Sequence, residues 1–116
     1  MEIQYSNKNV RKILLSHKEI QRKVGNNIGK TIIKRIEQLR ATKSLYEYIM
    51  FIKLGSPHHL KGNMNKYFSI SITGNYRLII EPLETKLDLE SLKGCSKIDV
   101  KGVLDYHGGR EEWIIP

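Results

Sequence analysis

The sequence predicts an α+β fold: an N-terminal helical hairpin packed on an antiparallel sheet of about four strands. Two observations carry that expectation. Apolar residues recur every three or four positions through Leu39, then every second position from Tyr67 onward. Turn formers, "TGN" at 73–75 and "GG" at 108–109, punctuate the alternating half. At 116 residues the chain suffices for one such core. We therefore read 1–116 as a single domain, with 1–50 mainly helical and basic, 51–107 strand-rich, and 108–116 a C-terminal tail.

Each element has a local reason. "EIQY" opens as a short strand, and Ser6 or Asn7 caps a short helix carrying Val10, Ile13 and Leu14. Ser16 and Glu19 have capping-box spacing for a longer helix. In it Ile20, Val24, Ile28, Ile32, Ile36 and Leu39 form one apolar stripe along about 23 residues, widened by Ile33. Gly25 and Gly29 interrupt that helix, as a kink or as a place of close backbone approach. Ser44 and Glu47 repeat the capping-box spacing and start a third, short helix. Phe68, Ile70 and Ile72 alternate with polar residues as a strand, "TGN" turns the chain, and "YRLIIE" returns as far as Pro82. Residues 83–97 read as a polar excursion. "KIDVKGVLDYH" resumes strand alternation until Gly108 and Gly109.

Composition narrows the function classes. The apolar fraction is 40%, and no apolar run approaches the ~20 residues of a membrane span. The N-terminus has no signal-peptide pattern. A single cysteine, Cys95, excludes an internal disulfide and fits a reducing cytoplasm. Residues 1–43 hold eleven Lys and Arg against three Glu, so they account for the entire net charge of +8. On the expected helices Arg11, Lys12, Lys18, Arg22, Lys23, Lys30, Lys34 and Arg35 form a basic ridge suited to a nucleic-acid partner such as RNA.

The chain has no P-loop, GxGxxG, CxxC, HExxH or nucleophile elbow, and we expect neither metal nor cofactor. A polar set remains on the strand-rich half: His58, His59, Lys61, Arg77, Asp105, Tyr106 and His107. Metal-free RNA cleavage needs a base for the 2′-hydroxyl, a cation for the phosphorane-like charge, and an acid for the 5′-oxygen. Histidine or lysine serves the proton transfers, arginine forks onto phosphate oxygens, and tyrosine stacks on a base or donates a hydrogen bond.

In that order "HHLKG", "YFSISITGNYRLIIEP" and "VLDYH" resemble the HigB branch of the RelE/ParE toxin superfamily, over about residues 1–107. The resemblance implies a RelE-like, microbial-RNase-like fold and a toxin of a type II toxin–antitoxin pair. It implies a ribosome-dependent, metal-independent mRNA endonuclease (an mRNA interferase) that inhibits translation and growth. It also implies a helix-turn-helix antitoxin of the HigA type as partner in a hetero-oligomer. By the same resemblance His58 and Lys61 match the H-x-L-K turn, Arg77 the strand arginine, and Asp105, Tyr106 and His107 the D-Y-H end. His107 or His58 would then be the general base and the other the acid, with Asp105 orienting the His107 imidazole. The path through 83–97 and the tail are longer than the family pattern. Two other readings are a ParE-type gyrase poison and a non-catalytic basic RNA-binding module.

Overall fold

In the computed structural model, which describes residues 1–116, the change of apolar period becomes a change of layer. Strand β1 (Glu2–Gln4) leads into helices α1 (Lys8–Leu14), α2 (His17–Val24) and α3 (Asn26–Arg40). Helix α4 (Leu45–Glu47) runs directly into a π-turn at Tyr48–Ile52. Strands β2 (His58–His59), β3 (Phe68–Ser71) and β4 (Tyr76–Pro82) follow, then helix α5 (Leu89–Leu92) and strands β5 (Lys97–His107) and β6 (Arg110–Ile115). No helix is long and apolar enough to cross a membrane.

The helix caps act where the sequence placed them. Asn7 caps α1 by accepting from the amides of Asn9 and Val10. Ser16 and Ser44 each accept from the amide three residues on, that of Glu19 and of Glu47. The single long helix is a correction. Gly25, at φ 86° and ψ 173°, ends α2 and precedes α3, so three helices replace the expected hairpin. That φ lies where a side chain is strained, and Gly25→Ala should lower stability by about 1 kcal/mol in urea unfolding. Gly29 has the other role: a Cβ there would sit 3.0 Å from Ile20 Cγ2, and its absence lets α3 approach α2.

The sheet is also larger than expected, with six strands, and mixed rather than antiparallel. Its order is β1-β5-β4-β3-β2, with β6 also on β5. Strand β1 runs parallel to β5 at Lys97–Asp99, while β6 runs antiparallel along Val103–His107. Because β4 occupies one side of β5, β1 and β6 share the other. Residues 108–116 are thus not a loose tail. Gly108 and Gly109 turn a hairpin, and Ile115 is fully buried against the core. Gly102 makes this possible: at φ 142° it passes so close to β6 that a Cβ would overlap the Ile115 carbonyl oxygen. Gly102→Ala should unseat β6 and cost about 2–4 kcal/mol, measured by thermal or urea unfolding.

One face of the sheet is covered. Ile70, Leu78, Ile80, Ile98, Val100, Val103 and Ile115 join Val10, Ile20, Ile32, Ile36 and Leu39 of the helices in one cluster. The excursion 83–97 contributes too: Asp88 caps α5, and Leu92 and Cys95 are buried in that cluster. The opposite face carries Ser69, Arg77 and Tyr106 around an open pocket, with Ile79 and Leu104 buried beside them. Ser6, freed from capping, donates through its amide (2.9 Å) and its hydroxyl to the buried Asp99 carboxylate. Lys101 Nζ lies 3.3 Å from the same carboxylate.

Tyr48 anchors the π-turn. It is wholly buried, its hydroxyl donates to the Leu54 carbonyl at 2.7 Å, and burial pushes its phenol up to about 12. The unfolded chain ionises near 10, so folding favours the protonated phenol. That contribution is intact below pH 10 and is lost as pH rises toward 12. Relative to Tyr48→Phe, the parent should lose about 2–3 kcal/mol of stability across that window in pH-dependent unfolding.

Candidate active site

The segment holding His58 is fixed by backbone bonds. After the π-turn Lys53 and Ser56 take left-handed φ values of 60° and 48°, which fold 53–57 back on β3. Gly55 accepts from the Ser71 amide at 2.6 Å, and Arg35 Nε donates to the Ser71 carbonyl at 3.2 Å. Arg35 also reaches Gln38 Oε1 at 3.2 Å. Its guanidinium is therefore a brace between α3 and β3, a correction to its place on the basic ridge.

Strand β2 separates the two histidines. His58 pairs with Ser69 and His59 with Phe68, so their side chains take opposite faces. His59 stacks on Phe68 (4.7 Å between centroids, planes 4° apart), and its Nε2 donates to the Asn65 carbonyl at 2.6 Å. It is structural. His58 faces the open side, with Nδ1 3.4 Å from the Ser56 carbonyl. A carbonyl only accepts, so in this contact Nδ1 is the donor, and Nε2 is left without a partner.

An open pocket of about 450 Å³ lies on this face. His58, Lys61, Arg77, Tyr106 and Glu111 line it, and Leu60, Asn63, Met64 and Ser69 complete the wall. Four residues singled out in the sequence thus converge from three segments. Arg77 is held by its own turn: Nη1 donates to the carbonyls of Thr73 (2.8 Å), Gly74 (2.9 Å) and Tyr76 (3.2 Å). Its Cζ lies 5.6 Å from the Tyr106 ring centroid, so the cation also braces the aromatic face. Burial, with help from the Glu111 charge, raises the Tyr106 phenol above its ordinary range, and Arg77 opposes this. Tyr106 is consequently a protonated donor near neutral pH.

Asp105 and His107 are not in this pocket. Alternation along β5 turns them away from Tyr106, to the face where Tyr76 pairs with Asp105. There His107 Nδ1 lies 3.2 Å from Asp105 Oδ2, the orienting contact expected from their spacing, on the face opposite to Arg77. Of the three D-Y-H residues only Tyr106 lines the pocket. Glu111 was missed because it lay in the supposed tail. The signal that finds it is "GG" between two strand-like runs, a hairpin whose register sets Glu111 opposite Tyr106.

Comparison with solved structures finds the YoeB/ParE toxin from Agrobacterium tumefaciens, at TM-score 0.56 and 19% identity, covering 92% of this chain and 99% of that one. The chain has that toxin's fold. No family model and no curated protein matches the sequence. In this fold Arg11, Lys12, Lys18, Arg22, Lys23, Lys30 and Lys34 are all exposed on the helical layer. Arg22 is paired with Glu19. Lys12, Arg22 and Lys23 line a shallow basin beside Ile13 and Pro116. The helices cover one face of the sheet and the pocket opens on the other, so charge ridge and pocket are separate surfaces.

Proposed function

We propose that this protein is the toxin of a type II toxin–antitoxin pair and cleaves mRNA on the ribosome without a metal. The observation that carries this reading is the convergence of His58, Lys61, Arg77 and Tyr106 in one open pocket of a toxin fold. Lys61 and the free edge of the Arg77 guanidinium hold the scissile phosphate and its developing charge. Tyr106 donates a hydrogen bond or stacks against the nucleotide, and His58 Nε2 transfers a proton. The 2′-oxygen attacks phosphorus, the bond to the 5′-oxygen breaks, and a 2′,3′-cyclic phosphate and a 5′-hydroxyl result. A helix-turn-helix antitoxin is the partner that silences the activity.

The separate basic ridge docks on ribosomal RNA. Exchanging Lys12, Lys23 and Lys30 for glutamine should weaken ribosome binding and flatten its salt dependence. The log–log slope should fall by about one unit for each phosphate no longer neutralised. Ribosome co-sedimentation across a salt series measures it.

Growth arrest on induction tests the reading. The parent should arrest growth, whereas His58→Ala, Lys61→Ala and Tyr106→Ala should relieve it. His59→Ala and His107→Ala, on the other face, should remain toxic. Toxicity that tolerates all three pocket changes contradicts the nuclease reading, and intact message with DNA damage favours a gyrase poison.

A further inference from the structure

The pocket contains one group that neither the sequence motifs nor the reading above uses. Glu111 comes from β6, and its register opposite Tyr106 sets it on the open face beside His58, Lys61 and Arg77. Its charge reaches the Tyr106 phenol. It forms no ion pair, although every other charged group lining the pocket is cationic. An unpaired anion weakens a site that merely holds phosphate, since it repels the ligand's own charge. Glu111 is exposed and is the one anion among the pocket's cations.

Counting proton carriers gives it a chemical role. The reaction proposed above needs one group to take the 2′ proton and another to protonate the 5′-oxygen. Lys61 and Arg77 are cations suited to the phosphate, and Tyr106 is held protonated. Two groups in the pocket are of the kinds that serve general base and general acid roles, the Glu111 carboxylate and the His58 imidazole. Asp105 and His107 cannot supply the second, because they face the other side of the sheet.

We infer that Glu111 is the general base of the cleavage reaction and His58 its general acid, an assignment that rests on the nuclease reading. The Glu111 carboxylate removes the proton from the 2′-hydroxyl as that oxygen bonds to phosphorus. The phosphorus–5′-oxygen bond breaks, and protonated His58 gives its Nε2 proton to the departing oxygen. Water afterwards returns both groups to their starting states. Strand β6, which read as a tail, thereby completes the active site.

The experiment is single-turnover cleavage of a short mRNA on programmed ribosomes, with an ordinary linkage or a 5′-phosphorothiolate at the cut site. A sulfur leaving group departs without protonation, so it relieves the need for an acid and leaves the need for a base. Glu111→Gln should slow cleavage of both substrates by about 10²–10⁴-fold. His58→Ala should be comparably slow on the oxygen substrate and recover to within about tenfold of the parent on the sulfur one. Glu112→Gln, one residue away on the other face, should match the parent. Glu111→Gln cleaving at the parental rate, or changing only the preferred sequence, overturns the assignment. So does sulfur rescue of Glu111→Gln without rescue of His58→Ala. No cleavage by the parent overturns the nuclease reading itself, whereas cleavage that Arg77→Ala abolishes and Glu111→Gln retains overturns the assignment alone.

Discussion

Arg77→Ala should reduce RNA cleavage by about 10²–10³-fold while the protein stays folded. Arg77 is the pocket's permanently charged fork, and its geometry is fixed before substrate arrives by three carbonyls of its own turn. The two hydrogens of Nη1 are shared among these three carbonyls, leaving Nε and Nη2 for the phosphate's non-bridging oxygens. Preorganised charge of this kind acts on the transition state more than on the ground state, so the loss belongs in the rate at saturation rather than in RNA affinity. Arg77→Lys keeps the charge and loses the fork and the brace on Tyr106, so it should recover only part of the activity. Its measurement is single-turnover cleavage beside thermal unfolding. Unchanged cleavage by Arg77→Ala would remove the phosphate-binding half of the mechanism.

Asp99→Ala should be among the most destabilising single changes in the chain, at about 3–5 kcal/mol. Asp99 is nearly inaccessible, and its carboxylate receives the Ser6 amide, the Ser6 hydroxyl and the Lys101 ammonium. Alanine strands two donors and a largely covered cation, to which Glu81 offers only a distant contact at 3.7 Å. The bond network also ties the segment just after β1 to the start of β5, so the parallel edge should fray with it. Asp99→Asn preserves an acceptor for Ser6 and should cost less. Urea unfolding of the two variants separates the hydrogen bonds from the charge, and equal costs would show that the charge does nothing there.

Local signals were readable in the sequence because they act over three or four residues. Ser16 and Ser44 cap the amides that their spacing indicated, and the turn between β3 and β4 closes where the Ile72 and Thr73 amides donate to the Tyr76 carbonyl. Long-range choices were not readable. Three residues of β1 carry no sign of direction, so its parallel pairing with β5 is set by the route of the chain through α1–α3. The break at Gly25 and the close approach at Gly29 look alike in sequence, yet the first is set by a left-handed φ with nothing within 4 Å and the second by Ile20 of α2. Strand β6 was obscured by a bulge between Val103 and Leu104, which shifts Ile115 out of the alternation set by Glu111 and Trp113.

The candidate site divides along the same line. His58 over His59 followed from motif position, and strand alternation accounts for it physically. Asp105, Tyr106 and His107 are contiguous in sequence, and for that reason a strand cannot aim all three at one pocket. Arg35 looked like one more ridge cation, and only the fold brings Ser71 to it. Glu111 required the register of a hairpin that closes after the last recognisable motif.

The central claim is translation-coupled cleavage of mRNA by this pocket, and mapping RNA 5′ ends in induced cells tests it most directly. With translation running, the parent should generate new 5′-hydroxyl ends within coding regions, and Arg77→Ala should not. Blocking initiation should abolish them. Ends that persist without translation, or that appear equally with Arg77→Ala, would contradict the account.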